Sequence, residues 1–171
     1  MQRNTGPEPG SPFLTAEWRY LAMLNYEVEP ERLMPLVPKG TELDTHDGKT
    51  FVSMVGFLFL NTRVMGLAIP FHRDFEEINL RFYVRRKAED GWRRGVVFVH
   101  WGYTSQKDGG TIEYQVEHPP WRIWQGQSGR LTCDVEKLYG QRFVGALSAQ
   151  PSSVFLAEGS EIQVYKGRRL I

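Results

Sequence analysis

The stretch Phe75-Glu76-Glu77-Ile78-Asn79-Leu80-Arg81-Phe82-Tyr83-Val84-Arg85-Arg86 alternates apolar and polar residues from Glu77 onward. Ile78, Leu80, Phe82 and Val84 fall on one side, and Glu77, Asn79, Arg81 and Tyr83 on the other. Successive side chains of a strand point to opposite faces, so the segment predicts a β-strand with one apolar and one polar face. Upstream, Thr50 to Leu60 is almost continuously apolar and predicts a strand buried on both faces, with Gly56 a candidate bulge or close backbone approach. The polar face of the Glu77 strand has two readings. It meets water, the default for an antiparallel outer strand. Alternatively it lines a closed or half-closed barrel, with an acid, an amide, a guanidinium and a phenol pointing into a cavity.

A chain of 171 residues is one domain's worth, long enough to bury a real core. The net charge of +1 supplies no field that would draw in nucleic acid or an anionic membrane. Cys133 is the single cysteine, so no internal disulfide can form, and a reducing, cytoplasmic compartment is expected. Residues 1–12, rich in Pro and Gly, carry no apolar signal core and are expected to form a mobile arm ahead of a single domain over 13–171. The longest apolar run, Phe51 to Leu60, is about half of what a spanning helix needs.

Turn chemistry divides the rest of the chain. Trp18 to Val28 alternates as a first strand, with Leu21 and Met23 interrupting its polar side. Pro30 to Val37 reads as a short helical turn, and Thr41 to Asp44 as a short strand ahead of the Asp47-Gly48 hairpin signal. Asn61 to Arg73 reads as a crossing loop. The turn Ala88–Gly91 leads into a strand over Trp92 to Val99, completing an antiparallel meander. His100 to Thr104 and Thr111 to His118 read as a hairpin stopped by Pro119-Pro120. At least two of Trp101, Trp121 and Trp124 are expected to plug one end of the core. Asp134 is placed as the N-cap of a helix running on through Phe143 and Leu147. Val154 to Leu156 and Glu161 to Tyr165 read as two final short strands.

Motif chemistry is sparse. His46, His72, His100 and His118 occur singly, with no His-x-His or His-x-x-x-His pair, and one cysteine excludes structural zinc. Neither a Gly-x-Ser-x-Gly elbow nor a Gly-rich phosphate loop is present, and no cofactor is called for. The clusters Arg85-Arg86-Lys87, Arg93-Arg94 and Lys166-Gly167-Arg168-Arg169 read as solvated loop ends without a nucleic-acid motif. A Schiff-base lysine needs burial or a neighbouring cation. Lys39, Lys49, Lys87, Lys107, Lys137 and Lys166 all adjoin turns or charged termini, so covalent amine catalysis has no candidate.

Taken in order, Trp18-Arg19-x-Leu21, Leu43-Asp44-Thr45, Val55-Gly56-Phe57, Phe75-Glu76-Glu77-x-Asn79-Leu80-Arg81-x-Tyr83-Val84, Gly95-Val96-Val97-Phe98 and Glu113-Tyr114-x-Val116-Glu117-His118-Pro119-x-Trp121 resemble the uncharacterised YqjF-like family. That family is similar in fold to acetoacetate decarboxylase. The resemblance implies a mainly β domain, an antiparallel barrel or strongly bent sheet with a few short helices outside and a ligand-sized interior. It also implies that the polar face of the Glu77 strand looks inward. Acetoacetate decarboxylase relatives place a glutamate on a comparable strand, matched here by Glu77, and a reactive lysine for which this chain has no match. The decarboxylase activity is therefore not carried over. One departure lies at Val99-His100-Trp101, where the family has a substantial extra segment. Either that segment is deleted or residues are missing from the numbering, and a Cα separation beyond about 3.8 Å would decide.

The reading is a small-molecule-binding barrel for a polar or acidic ligand, with an enzymatic reaction left open. Arg81 is expected to pair with a ligand carboxylate or carbonyl oxygen. Glu77 is expected to hold Arg81 or accept a proton, and Asn79 and Tyr83 to orient the ligand. Glu113 and Gln115 would join from the hairpin strand and Arg19 from the first strand. No nucleic-acid or membrane partner and no metal is expected. The rival is a non-catalytic structural or protein-interaction domain whose polar row satisfies itself or faces water.

Overall fold

The computed structural model describes residues 10–99 and 110–170. Four long antiparallel strands dominate: β1 (Leu14–Val28), β3 (Thr50–Val64), β5 (Phe75–Ala88) and β10 (Ser153–Val164). Short elements complete the set: β2 (Glu42–Leu43), β4 (Leu67–Ala68), β6 (Gly91–Val99), β7 (Ile112–Glu113), β8 (Val116–Glu117), β9 (Ile123–Gly126) and β11 (Arg168–Arg169). The helices are α1 (Pro30–Leu33), α2 (Val135–Tyr139) and α3 (Gln141–Leu147), with a 3-10 turn over Met34–Leu36. In the main sheet β6 pairs with β5, then β3, β1 and β10 follow, and β9 and β8 both pair with β10. The expected meander holds for β1, β3, β5 and β6, but β2 pairs with β5 and not with its sequence neighbour β3.

The sheet curls into a half-barrel. Arg94 on β6 and Ile123 on β9 come from opposite ends of the strand order yet line one cleft, so the sheet closes towards that face. Strand twist drives part of the curl, and bulges add to it. β1 and β3 slip register between Thr15 and Glu17 and between Arg19 and Ala22, and Tyr20 sits at φ 54°. The bulge at Tyr20 and Leu21 of β1 therefore lies opposite Phe57, while Gly56, the expected bulge, is regularly paired with Ala22 and Ile78.

Each face buries its own cluster. On the outer face Tyr26, Val28, Val52, Met54, Leu80, Phe82 and Val84 pack against Leu33, Val135, Phe143 and Leu147 of the helices. Full burial of a large apolar side chain contributes roughly 1.5–3 kcal/mol, so the fully buried Phe82 and Phe143 anchor this layer. On the inner face Ala16, Leu21, Val55, Phe57, Phe59 and Ile162 form a second cluster capped by Trp18 and Trp121. Of the two or more rings expected to plug the core, Trp121 does so, Trp124 lies exposed on β9, and Trp101 lies outside the described residues.

Several boundaries differ from the sequence reading. The crossing loop over 61–73 is largely a hairpin, because β3 runs to Val64 and turns at Met65-Gly66 into β4. The two final strands are one: Gly159 takes φ 83° and lets β10 pass the β1 bulge without breaking. Asp134 caps α2 by accepting from the Lys137 amide at 3.0 Å, but Gly140 at φ 87° splits the expected helix into α2 and α3. The strand expected over 111–118 is divided, with β7 pairing β11 and β8 pairing β10. Its hairpin partner over 100–104, the Val99–His100 junction and residues 1–9 of the arm lie outside the described residues.

Candidate functional site

Strand register builds the site. Asn25 of β1 stands opposite Ser53 of β3, which stands opposite Arg81 of β5, and Ser153 of β10 stands opposite Asn25 on the other side. The next rung holds Phe155, Met23, Val55 and Asn79. Residues opposite one another share a face, so these side chains form an inner polar row beside the apolar cluster. Glu77, Asn79, Arg81 and Tyr83 lie on this same inner side of β5 by alternation.

Hydrogen bonds run along the row from Ser153 through Asn25 and Ser53 to Tyr83, with a separate pair at Asn79 and Glu77. Asn25 Nδ2 donates to Ser153 Oγ at 2.9 Å, Ser53 Oγ donates to Asn25 Oδ1 at 2.5 Å, and Ser53 Oγ is 2.6 Å from the Tyr83 phenol oxygen. Ser53 is fully buried and Asn25 and Asn79 are nearly so, each 8% exposed. Asn79 Nδ2 donates to Glu77 Oε1 at 3.1 Å. Two atoms beside this network are buried and have no hydrogen-bond partner among the described residues: Asn79 Oδ1, an acceptor, and Arg81 Nε, a donor.

A cleft of about 410 Å³ opens onto the row. Its polar lining comes from Asn25, Tyr83, Ser153 and Arg94, and its apolar lining from Met23, Phe51, Ile123 and Phe155. Asp44, Thr45 and His46 of the β2–β3 turn close one side. Asp44 holds Arg94 there, with Nε to Oδ2 at 2.7 Å. A larger hollow of about 550 Å³ is lined by Val116, Glu117, His118, Pro119, Glu161 and Gln163 at the β8–β10 edge. It is the weaker candidate for an acidic ligand, because its two carboxylates repel anions and most of its lining residues are exposed.

Four of the seven residues singled out in the sequence, Glu77, Asn79, Arg81 and Tyr83, share the inner side of β5, and of these Tyr83 lines the cleft. Glu77 does not reach Arg81, since residues four apart on a strand are about 13 Å apart along it. It holds Asn79 instead. The other three go elsewhere. Arg19 lies on the far side of the Tyr20 bulge, which reverses the alternation of β1, and its guanidinium pairs with Glu17 at 2.8 Å. Glu113, on the separate β7–β11 sheet, holds Arg86 at 3.1 Å and Arg168 at 2.7 Å. Burial pushes its carboxyl up, but the hydrogen bonds and charges of the two arginines prevail and hold it below the usual glutamate range. Gln115 is exposed and donates to Glu117 at 2.8 Å. Asn25, Ser53 and Ser153 escaped the sequence reading because isolated small polar residues in apolar strands gain meaning only through register. Every described lysine is exposed, and the described residues contain no cluster able to hold a metal ion. No helix among them is long and apolar enough to cross a membrane.

Comparison with known proteins agrees with this architecture. Two structures of the enduracididine biosynthesis enzyme MppR superpose at a TM-score of 0.52 over 99% of this chain and 98% of theirs, at 13% and 14% identity. They are described as complexed with the condensation product of pyruvate and imidazole 4-carboxaldehyde, and with HEPES buffer. Both belong to the acetoacetate decarboxylase-like fold, and the likeness extends to fold alone. The uncharacterized protein YqjF of Bacillus subtilis is 35% identical over 91 residues, which is 53% of this chain and 38% of YqjF. The chain thus covers well under half of that relative's length. The profile of the DUF2071 family, described as an uncharacterized conserved protein, matches residues 15–101, from the first strand through the whole polar row of β5, and the chain belongs to that family.

Proposed function

We propose that the protein binds a small polar or acidic molecule on the inner face of its half-barrel. Arg81 meets a carboxylate or carbonyl oxygen of the ligand, and Asn79 and Tyr83 orient it. The observation that supports this most is the pair of buried atoms without partners, Arg81 Nε and Asn79 Oδ1, on the strand that also lines the cleft. A buried polar group left unpaired costs about 1–3 kcal/mol. A ligand oxygen at Arg81 and a ligand O–H or N–H at Asn79 would offset both costs together. The hydrogen bond to Glu77 holds Asn79 Nδ2, which leaves Oδ1 as the free end of the amide. Glu77 is the proposed proton acceptor for any chemistry on the bound molecule. The acidic molecules named with the two MppR structures suit the same ligand class.

A thermal-shift screen of small oxo-acids and aldehydes against the wild type and Arg81→Ala tests the reading. Ligand at about a hundred times its Kd adds roughly 2.7 kcal/mol, a rise of about 5–10 °C for a domain of this size. The expected result is that rise for an acid in the wild type and its loss in Arg81→Ala. Equal rises in both proteins would remove Arg81 from the site.

A further inference from the structure

We infer that the cleft selects a ligand that donates a hydrogen bond, and so takes a 2-hydroxy acid in preference to the 2-oxo acid of the same skeleton; this rests on the ligand site proposed above. A serine hydroxyl has one hydrogen, and that of Ser53 goes to Asn25 Oδ1 at 2.5 Å. Ser53 Oγ can then meet Tyr83, 2.6 Å away, only by accepting the phenol proton. Tyr83 has no second proton to offer. The thioether of Met23, at 4.0 Å, is a weaker recipient for it and lies in the same wall.

The phenol oxygen therefore presents lone pairs to the cleft. Asn79 Oδ1, two inward positions earlier and about 13 Å along the strand, is a buried acceptor without a donor among the described residues, but Asn79 is not part of the cleft lining. The Tyr83 acceptor in the cleft lining calls for an O–H on the ligand, and a carbonyl oxygen set against it would be repelled. The complementary donor in the lining is the hydroxyl of Ser153, which accepts from Asn25 and keeps its own proton; Arg81, the inward neighbour of Tyr83 on β5, adds a buried Nε without a partner among the described residues, suited to a carboxylate. Met23, Phe51, Ile123 and Phe155 leave room for a branched apolar tail. The matched probes are 2-hydroxy-4-methylpentanoate and 2-oxo-4-methylpentanoate, which differ only at the C2 oxygen.

Titration calorimetry of both probes against the wild type, Tyr83→Phe and Ser53→Ala tests the inference. The wild type is expected to bind the hydroxy acid at least about tenfold more tightly, one hydrogen bond's worth of discrimination. Tyr83→Phe is expected to lose most of that preference. Ser53→Ala frees the phenol proton to point into the cleft, so its preference is expected to fall or turn towards the oxo acid, a change that a merely structural role would not produce. Equal affinities or an oxo-acid preference in the wild type would overturn the inference while leaving the ligand site standing. A hydroxy-acid preference unchanged in Ser53→Ala would also overturn it. Binding of neither probe at millimolar concentration would overturn the site itself and the inference with it.

Discussion

The carbonyl of Trp18 occupies the place where Gly159 would carry a side chain. Gly159 pairs with Arg19 across the β1–β10 ladder at φ 83°, beside the bulge that Tyr20 makes at φ 54°. A Cβ built on Gly159 would fall on the Trp18 carbonyl oxygen and come 2.8 Å from Leu21 Cδ1. The two strands bend at one level because one bulges and the other has no side chain there. The same bend returns Leu21, Met23 and Asn25 to the inner face and sends Arg19 away from it.

Gly159→Ala is therefore expected to destabilise the fold by about 3 kcal/mol or more, combining a strained positive φ with overpacking against backbone. Chemical denaturation of the purified variant measures this directly. A loss within about 0.5 kcal/mol of zero would mean that the bend does not depend on this glycine.

Tyr26 gives a prediction of opposite sign. Its ring is buried, 2% exposed, and its hydroxyl has no hydrogen-bond partner among the described residues. Burial, followed by the nearby Cys133, pushes the phenol upward in pKa, so it stays neutral and uncompensated. Tyr26→Phe keeps the packing and removes the orphan group, and is expected to raise stability by about 1 kcal/mol, or about 2–4 °C in Tm. A fall in Tm would indicate that the hydroxyl has a partner.

The β7–β11 pair is expected to be acid-sensitive. Glu113 holds Arg86 and Arg168, and its carboxyl lies below the usual range despite burial, which pushes the other way. A carboxyl whose folded pKa is depressed contributes stability that is present above its unfolded value, about 4.3, and lost as pH falls through the folded value. Below about pH 4 the C-terminal strand should loosen first. The amide of Leu170, which donates to Thr111 O at 2.8 Å, is the reporter. Its hydrogen-exchange protection should fall on acidification before that of the β3–β5 amides, and Glu113→Gln should show the loss already at neutral pH. Protection that falls together in both places would assign the acid response to the whole domain.

Much of the fold is legible in the sequence wherever the pattern is local. The alternation of β5, the Asp47-Gly48 turn and the Asp134 cap need only neighbours along the chain, and each is where the residues put it. What was not legible depends on register. Arg19 reads as inward by counting from Met23, but a single bulge residue reverses the count. Glu113 sits on an alternating stretch, yet the division of that stretch between two sheets carries it to Arg86 and Arg168. Asn25, Ser53 and Ser153 are scattered over three strands more than twenty residues apart and become a network only when the ladders align them.

The most direct measurement of the central claim is a backbone amide NMR titration with 2-hydroxy-4-methylpentanoate. The account predicts saturable shifts concentrated at Asn25, Ser53, Asn79, Arg81, Tyr83 and Ser153, lost in Arg81→Ala. Shifts confined to Glu117, His118 and Gln163 at the other hollow, or none at millimolar ligand, would contradict it.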